Sequence, residues 1–371
     1  MIGAGVMGCA AAAAFARRGA DVHLFERETI GAPTSSSMGP SRIIRLTYDE
    51  VDYVRLAQQS FEAWHLLECE TGQSLLVETG GIDIADRADT SLDAIANALT
   101  LAEVEFELWD DRDLTWAYPQ FESEGLRALF QPKTAVLLAD RCVEALAAVA
   151  IDHGTQVHER TEVREIEPGD GCVTIRTANQ SHIFDRVAVC AGPRIGPLLG
   201  GIELQLPVTV SMEQSVYFGA GDDASFRPPR FPICIGRFGD RGLTSIFPAL
   251  GGHGVKMMIE NKNAAADPED FAIDRAAVDQ VAERARMLLP SLDHAITRVD
   301  RARYTILPDE DFLVDRHPAN GEIILCSACS GHGFKFAPVI GEMVADLAEG
   351  GDAHPRFHFR PDRFGLQDSG A

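Results

Sequence analysis

Three glycines near the start of the chain have the spacing needed to hold a pyrophosphate. Gly3, Gly5 and Gly8 fit the pattern G-x-G-x-x-G. In this pattern the first glycine makes a tight turn, the second lets the backbone approach the phosphates, and the third lets a helix pack closely on a strand. The pyrophosphate would lie at the helix N-terminus, beside the main chain of Val6 and Met7. These residues therefore predict a dinucleotide site.

The residues that follow predict the βαβ unit that such a site requires. The alanine-rich run 10–14 favours a helix, Gly19 is the expected residue just past its end, and Val22 and Leu24 alternate along a strand. Glu26, at the end of that strand, can accept hydrogen bonds from ribose hydroxyls. A glycine-rich turn in an unrelated α/β protein is the competing interpretation, and the presence of all these features together argues against it.

The strand that should precede the first glycine is nearly absent from the sequence. Only Met1 and Ile2 come before Gly3. We therefore expect the natural product to start earlier, with about five more apolar residues, the usual length of a strand.

A second glycine-rich turn, S-G-H-G-F-K-F, occupies residues 330–336. It follows a strand pattern at 323–326 and precedes a helix pattern at 339–347. Gly331 and Gly333 would open this helix towards an electron-rich ring, because a helix N-terminus stabilises negative charge. A nicotinamide cofactor does not need this second turn. A flavin does, because its reduction puts negative charge on the ring.

Lysine is rare in this chain, so its positions are informative. Of the 33 basic residues only four are lysines. Lys256 lies in an apolar strand pattern and Lys335 lies in the second glycine-rich turn, which makes both lysines candidates for a functional site. The four lysines are Lys133, Lys256, Lys262 and Lys335.

Arg42 and Arg45 are a second pair of candidate cations. They lie three residues apart, so a helical turn would put them on similar faces, whereas a strand would separate them. One of them could bind a carboxylate with bidentate geometry. The alternative is that both are solvated or pair with the many acidic residues.

The composition is that of a soluble globular enzyme with two domains, as 371 residues suggest. A net charge of −23 argues against nucleic-acid partners, because no basic patch could offset it. The sequence has neither an apolar run long enough for a membrane span nor a secretory signal, so we expect a cytoplasmic protein. Its eight cysteines lack the spacing of a disulfide framework, which fits a reducing compartment.

The histidines and cysteines do not predict a metal site. His253 and His332 lie beside glycines but have no partner at metal-ligand spacing. Cys326 and Cys329 have the spacing of a redox motif, without the second cysteine pair that a zinc site would need. We interpret these two cysteines as small buried residues.

Between the two glycine-rich turns the sequence alternates helical and extended patterns. We predict helices over 49–69 and 267–289, a strand over 75–85, and a helix capped by Asp140 that leads into a strand over 156–163. Dinucleotide-type patterns at both ends with β-rich sequence between them predict an interleaved fold.

Together these motifs resemble the monomeric sarcosine oxidase and N-methyltryptophan oxidase family, within the glycine oxidase and D-amino acid oxidase superfamily. The resemblance covers essentially the whole chain, and S-G-H-G-F-K-F is its most specific part. It is carried by residues 3–8 with Glu26, by 35–45, 140–154 and 251–256, by Tyr304 with 312–318, and by 330–336.

The resemblance implies an α/β (α+β) fold. A glutathione-reductase-type Rossmann FAD-binding domain would be interleaved with a β-sheet-rich substrate domain. The expected FAD-binding segments are 1–80, 137–205 and 300–371. The expected substrate-domain segments are 81–136 and 206–299.

The resemblance also implies an activity, the oxidation of a secondary amine beside a carboxylate, with FAD as cofactor and hydrogen peroxide as product. Arg45 and Lys335 would hold the substrate carboxylate, and Tyr304 would line the pocket. Lys256 would supply the fixed cation that stabilises charge when O₂ takes its first electron. The residues expected to contact FAD are Gly3, Gly5, Val6, Met7, Gly8, Glu26, Arg27, Ser37, Arg42, Val163, Ala191, Gly192, Gly331, Gly333, Phe334 and Lys335.

The chain departs from the family pattern at several positions. Ala302 occupies the position of the cysteine that attaches FAD, so we expect FAD to be bound non-covalently. Met38 replaces a histidine of the loop before the arginines. Glu260 and Ser245 replace a pocket histidine and a pocket tyrosine, so a substrate larger or more cationic than sarcosine is expected.

Two other functions compete with this one. The first keeps FAD and the carboxylate site but oxidises a 2-hydroxy acid or an amine and passes electrons to a quinone or a partner protein. The second is a flavoprotein without activity that serves as a subunit of a larger complex, which Ala302 and Met38 would permit. For the leading function we expect a monomer whose partners are a small amino acid and O₂.

Overall fold

The structure is a computed structural model that describes residues 1–220, 224–262, 265–267 and 269–364. No helix within these residues is both long enough and apolar enough to cross a lipid bilayer. The α-helices of the described residues are Val6–Arg17 (α1), Val51–Thr71 (α2), Ser91–Leu101 (α3), Asp111–Ala117 (α4), Ala139–Asp152 (α5), Ile195–Gly200 (α6), Arg275–Leu288 (α7) and Ala337–Ala348 (α8).

Most of the strands are short, and they form one large sheet and several small ones. They are His23–Phe25 (β1), Arg42–Ile44 (β2), Leu76–Glu78 (β3), Gly81–Asp86 (β4), Glu107–Trp109 (β5), Leu126–Gln131 (β6), Ala135–Leu137 (β7), Gln156–His158 (β8), Glu165–Pro168 (β9), Val173–Arg176 (β10), Ser181–Phe184 (β11), Val187–Val189 (β12), Thr209–Phe218 (β13), Ile233–Arg237 (β14), Leu243–Phe247 (β15), Val255–Ile259 (β16), Ile296–Ile306 (β17), Leu313–His317 (β18) and Asn320–Ser327 (β19).

The dinucleotide half of the fold is built on parallel strands. β1 pairs with β8, and β12 pairs with β19, both in parallel. Ile2 forms parallel bridges to Phe25 on one side and to Val189 on the other, so one residue joins the two pairs into a single sheet. Helix α1 packs beside this sheet and against α5 and α8. The predicted α/β fold with a parallel dinucleotide-type sheet is confirmed.

Two glycines allow α1 to pack as closely as it does. A Cβ on Gly8 would lie 1.8 Å from the carbonyl oxygen of Gly3, so only a glycine fits there. A Cβ on Gly341, in α8, would lie 2.6 Å from the carbonyl carbon of Ala10. The facing residues of α1 are alanines, and Ala10 to Ala14 are at most 3% exposed. The alanine run therefore has two effects. It favours helical backbone, and its small side chains let α1 pack closely against α5 and α8.

The β-rich half is an eight-stranded sheet in the order β17-β13-β16-β15-β14-β4-β6-β5. Its neighbouring strands are antiparallel, except that β14 and β4 are parallel. Successive side chains of a strand point to opposite faces. In β16, Val255 and Met257 are buried in a hydrophobic core with residues of α4 and α7. Lys256 and Met258 therefore point to the other face.

Two predicted strands differ in the structure. The predicted strand over 75–85 is two strands, β3 and β4, which belong to different sheets. Gly80 lies between them with φ +64°, which turns the backbone from one sheet to the other. The predicted strand over 156–163 ends at His158.

Two predicted helix starts are also wrong. Asp140 does not cap α5, because it lies in the first turn and accepts a hydrogen bond from the backbone N–H of Gly39 at 2.6 Å. The helix predicted over 267–289 begins at Arg275. Its cap is Asp274, whose carboxylate accepts from the backbone N–H groups of Ala276 and Ala277.

The predicted domain boundaries stay a prediction. The sheet that contains the parallel pairs takes its strands from residues 23–25, 156–158, 187–189, 313–317 and 320–327, and the last two of these pair antiparallel. Strand β17 belongs to the eight-stranded sheet and spans the predicted boundary at residue 300. The last residues of the predicted FAD-binding segment, 365–371, lie outside the described residues.

The contact between α1 and α8 predicts the effect of a single methyl group. We expect Gly341→Ala to lower the free energy of unfolding by about 1–3 kcal/mol, the usual cost of overpacking, because the atoms it meets are backbone atoms of α1. Chemical denaturation measures this change. Gly200→Ala is the matched control, since its added Cβ meets open space in α6. Equal stability of the two variants would contradict the prediction.

Candidate active site

A cavity of about 650 Å³ lies between the parallel sheet and the eight-stranded sheet. Its wall contains every catalytic and cofactor residue predicted from the sequence except Gly8, which packs under the first turn instead. The structure thus brings these residues together around one space. Their individual roles stay predictions.

At one end the cavity meets the N-terminus of α1. Gly3 has φ +95°, and a Cβ there would lie 2.6 Å from the carbonyl oxygen of Cys190. Gly5 opens the helix, and Gly5, Val6 and Met7 all line the cavity. The backbone N–H of Val6 donates to Ser37 Oγ at 2.9 Å. This end offers main-chain N–H groups and a helix dipole to an anion, as a pyrophosphate requires.

Glu26 lies beside this helix start, just past the end of β1. Its Oε2 accepts from the backbone N–H of Ala4 at 2.8 Å, and its Oε1 accepts from that of Glu28 at 2.9 Å. Each carboxylate oxygen has a second lone pair, so Glu26 can also accept from hydroxyl groups in the cavity. The two backbone bonds fix the direction in which the carboxylate points.

The wall near Glu26 includes the predicted Arg27, Val163, Ala191 and Gly192. It also includes Arg303, which the sequence analysis missed.

Arg303 is 6% exposed and donates to the backbone carbonyl of Thr34. Because side chains alternate along a strand, the sequence predicts that Arg303 points to the face opposite Ala302 and Tyr304. The strand pattern therefore gives no indication that Arg303 lines the same cavity. Its contact with Thr34 joins residues 269 positions apart, which no local pattern reveals.

The cavity-facing side of the eight-stranded sheet carries a polar set of side chains. Ala302 pairs with Glu213 across β17 and β13, so their side chains share one face. Glu213, also missed from the sequence, is 2% exposed and accepts from Ser211 Oγ and from the backbone N–H of Asn261 at 2.8 Å. Burial raises the pKa of Glu213. Other members of this face are Ser215, Ser245, Phe247, Lys256, Met258, Glu260 and Tyr304.

Lys256 is a buried cation in this wall. It is 5% exposed, its Nζ donates to the carbonyl oxygen of Ser41 at 3.1 Å, and it lies 4.3 Å from the ring centroid of Phe247. Burial and then the charge of Arg42 hold the pKa of Lys256 well below the usual lysine range. No carboxylate of the described residues lies within ion-pair distance of it.

Arg42 holds the loop that precedes it. Its guanidinium donates to three backbone carbonyls, those of Ser36 at 3.0 Å, Met38 at 2.8 Å and Ser41 at 2.9 Å. It also lies 5.6 Å from the ring centroid of Phe334. Arg42 thus connects the loop that contains Met38 to the second glycine-rich turn.

Arg45 and Lys335 lie close together around Tyr48. The guanidinium carbon of Arg45 is 4.5 Å from the centroid of the Tyr48 ring, and Lys335 Nζ donates to Tyr48 Oη at 2.8 Å. Lys335 also donates to the carbonyl oxygen of His332 at 2.6 Å and is 5% exposed. Burial and then the charge of Arg45 hold the pKa of Lys335 well below its usual range.

The second glycine-rich turn brings Lys335 and Phe334 into the wall. A Cβ on Gly331 would lie 2.9 Å from the ring of Tyr304, and one on Gly333 would lie 1.8 Å from the carbonyl oxygen of Ala328. Both glycines are therefore required by close approach. The backbone carbonyl of Lys335 accepts from the indole N–H of Trp64 at 2.7 Å, which fixes the turn to α2.

This parallel sheet, its glycine-opened helix and the cation-lined cavity define a dinucleotide-binding oxidoreductase. The FAD-dependent oxidoreductase family model named DAO matches residues 1–347. The chain belongs to this family, and the resemblance predicted from the sequence is confirmed. The protein is an FAD-dependent oxidoreductase.

Curated relatives and solved structures cover almost the whole chain. Monomeric sarcosine oxidase of Bacillus sp. strain NS-129 is 29% identical, over 95% of this chain and 92% of that protein. Monomeric sarcosine oxidase of Streptomyces avermitilis is 30% identical, over 98% of this chain and 96% of that protein. The open form of NikD, described as an unusual amino acid oxidase essential for nikkomycin biosynthesis, has a TM-score of 0.85 over 100% of this chain and 97% of that one, at 21% identity. At this low sequence identity, the likeness to NikD supports the fold of this chain and says nothing about its activity.

The residues at the cavity end near α1 fit FAD. A Cβ on Gly5 would lie 3.1 Å from Ser37 Oγ, so a side chain at this position would fill the space that a phosphate needs. Glu26 presents acceptors for ribose hydroxyls. Main-chain N–H groups and one carboxylate are the donor set that a dinucleotide uses.

The geometry of Glu26 predicts the effect of an isosteric change on FAD affinity. In Glu26→Gln one oxygen becomes an NH₂ group, which would face the backbone N–H of Ala4 or Glu28 and leave it without an acceptor. We expect the Kd for FAD to rise about tenfold, as a lost hydrogen bond to a charged group does. Titration of the apoprotein with FAD, followed by flavin fluorescence, measures this. Asp21→Asn, an exposed charge before β1, is the control, and an unchanged Kd for Glu26→Gln would refute the role of Glu26.

Proposed function

We propose that the protein is an oxidase of secondary amino acids, N-methyl or cyclic, which yields an imine and hydrogen peroxide. For an N-methyl substrate the imine hydrolyses to formaldehyde and the primary amino acid. Two relatives named monomeric sarcosine oxidase support this substrate class. One observation carries the proposal: two cations, the half-buried Arg45 and the buried Lys335, line the same cavity as the dinucleotide turn.

In this proposal the side chains bind the substrate and stabilise the charge that develops during the reaction. FAD, when bound, supplies the two-electron acceptor. Arg45 and Lys335 would bind the substrate carboxylate with charge-assisted hydrogen bonds, which orients the adjacent amine. Tyr304 would close the pocket on the side of the eight-stranded sheet. No side-chain nucleophile is required.

Lys256 is the residue proposed for the reaction with oxygen. Reduction of O₂ develops negative charge, and a cation already held in a water-poor site stabilises that charge without reorganisation. The hydrogen bond to Ser41 and the Phe247 ring hold the ammonium in place. Lys256 would therefore act only in its protonated form.

We also propose that FAD is held without a covalent bond. Ala302 lines the cavity at the position where the family attaches FAD through cysteine. The nearest cysteine in sequence after it is Cys326, which is 2% exposed in β19 of the other sheet, with its pKa raised well above the usual thiol range by Cys190 and by burial. A thiol of this kind is a poor nucleophile.

A dehydrogenase that passes electrons to a quinone or a partner protein is the second candidate. The burial of Lys256 favours it, because burial lowers the pKa of Lys256 and so disfavours the protonated form that the oxygen step requires. A dehydrogenase does not need that cation. The reaction of the reduced enzyme with air therefore separates the two candidates.

One sample of purified protein tests the proposed function. After acid precipitation we expect the yellow colour in the supernatant, because no bond to the chain holds the flavin. Anaerobic titration of the intact protein should bleach the flavin with sarcosine, another N-methyl amino acid, proline or pipecolate, and not with a 2-hydroxy acid. Admission of air should then restore the colour and form peroxide.

Each step of this test has its own contrary result. Colour in the acid pellet would show a covalent flavin. Bleaching of the flavin by the 2-hydroxy acid alone would contradict the proposed amine oxidation. Bleaching by an amine with no recovery in air would leave the amine assignment and favour the dehydrogenase.

Replacement of Lys256 should slow the oxygen step. We expect Lys256→Met to slow reoxidation of the reduced enzyme by about 100- to 1,000-fold, the usual effect of removing one preorganised charge-stabilising donor. In the unmodified enzyme this rate should fall as pH rises through the lowered pKa of Lys256, because the proton is then lost, and the variant should lack that dependence. Stopped-flow mixing with oxygenated buffer measures both.

The control for this experiment is Lys133→Met, which removes an exposed lysine outside the cavity. It should reoxidise like the unmodified enzyme. If Lys256→Met does so as well, the oxidase mechanism is wrong.

A further inference from the structure

Tyr48 contacts both cations of the proposed carboxylate site. Its ring lies under the guanidinium of Arg45 at 4.5 Å, and its hydroxyl oxygen accepts from Lys335 Nζ at 2.8 Å. Tyr48 is 8% exposed and is not part of the cavity wall. It therefore reaches a ligand in the cavity only through Arg45 and Lys335.

His332 fixes the direction of the hydrogen bonds behind Lys335. The His332 Nε2 atom lies 3.2 Å from the carbonyl oxygen of Glu310, which can only accept, so Nε2 carries the proton. Burial and the charge of Lys335 hold the pKa of His332 well below its usual range, so the ring is neutral and Nδ1 is an acceptor. Tyr48 Oη lies 3.3 Å from that Nδ1 atom and donates to it. The chain of donors therefore runs from Lys335 through Tyr48 to His332.

This arrangement leaves part of each cation directed at the cavity. Two of the three N–H bonds of Lys335 are used, by Tyr48 Oη and by the carbonyl oxygen of His332, and the third remains for a ligand. Arg45 donates from one terminal nitrogen to the carbonyl and hydroxyl of Thr47, which leaves its other N–H groups. Among the described residues no carboxylate lies within ion-pair distance of either cation.

We infer that Tyr48 is the positioning residue of the carboxylate site, holding Arg45 by its ring face and Lys335 by its hydroxyl group. Two like charges held close together repel each other, and a shared neutral partner holds both in place without occupying the site as a carboxylate would. The inference rests on the proposed function, because it takes the substrate carboxylate as the anion that these cations bind.

Binding of propionate to the FAD-loaded enzyme tests this inference without any turnover. Propionate carries the carboxylate alone, and propionamide has nearly the same shape without the charge. We expect calorimetry to show that propionate binds and propionamide does not. In Tyr48→Phe, which keeps the ring and removes the hydroxyl, we expect the Kd for propionate to rise about tenfold.

Tyr53→Phe is the matched control. The ring of Tyr53 stacks on Tyr48 at 5.2 Å, and its hydroxyl donates to Asp311 at 2.8 Å, so the variant loses a comparable hydrogen bond away from the cations. We expect its Kd for propionate to stay within about twofold of the unmodified enzyme. FAD content and thermal midpoint are measured for each variant.

A double-mutant cycle separates positioning from general loosening. If Tyr48 acts through Lys335, Tyr48→Phe should change the Kd by less than about twofold in the Lys335→Met background. The inference is overturned by an unchanged Kd in Tyr48→Phe, by an equal loss in Tyr53→Phe, or by a full loss that persists in the Lys335→Met background. An unmodified enzyme that does not bind propionate would also overturn it. Even then, the anaerobic titration with amines would test the proposed function independently of propionate binding.

Discussion

The structure depends on how it holds four basic side chains in one cavity wall without an acidic partner for any of them in the part of the chain that it describes. Arg42, Arg45, Lys256 and Lys335 lie in one cavity wall, and none has a carboxylate of the described residues within ion-pair distance. Lys256 and Lys335 are buried, Arg42 and Arg45 are half-buried, and a buried charge without a partner costs several kcal/mol. The protein offsets this cost with backbone carbonyls, hydroxyls and aromatic ring faces, which solvate a cation but leave its charge available. An anion that entered the cavity would therefore supply the missing counter-charge.

The two halves of the fold divide this work between them. The parallel sheet and α1 provide main-chain N–H groups and a helix dipole at a helix start, which is the kind of site that binds a pyrophosphate. The eight-stranded sheet provides alternate side chains on its cavity face, while its other face packs into the core under α7. The turn with Lys335 connects the halves, because it follows a strand of the first sheet and its Gly331 approaches Tyr304 of the second. The close approach of Gly331 to Tyr304 fixes the distance between the second glycine-rich turn and the eight-stranded sheet.

Local sequence predicted the parts of the site that local geometry determines. The spacing of Gly3, Gly5 and Gly8 and the position of Glu26 specify a turn, a helix and a strand end within about 25 residues, a span that the known motif covers. Lys256 was predicted because a lysine in an apolar strand is unusual. The element bounds failed where tertiary contacts override local pattern: Asp140 binds the Gly39 N–H instead of capping its helix, and a continuous β pattern is divided at Gly80 between two sheets.

Contacts between distant segments could not be predicted from one sequence. Tyr48 lies 287 positions from Lys335, and Ser41 lies 215 positions from Lys256. The sequence patterns did not indicate Arg303 and Glu213 for the same reason. Each lines the cavity only because distant segments of the chain pack near its strand.

The contrast between the acidic surface and the cationic cavity has a consequence for which molecules reach the site. With a net charge of −23 the protein repels anions that come within about one Debye length of its surface, ~8 Å at physiological ionic strength, while the cavity cations attract an anion only once it has entered. A zwitterionic amino acid has no net charge and crosses the outer field without delay. A dicarboxylate is held back before it meets any side chain of the pocket. Salt should therefore speed the association of dianions and leave that of zwitterions almost unchanged, and we expect net charge to select among ligands before their shape does.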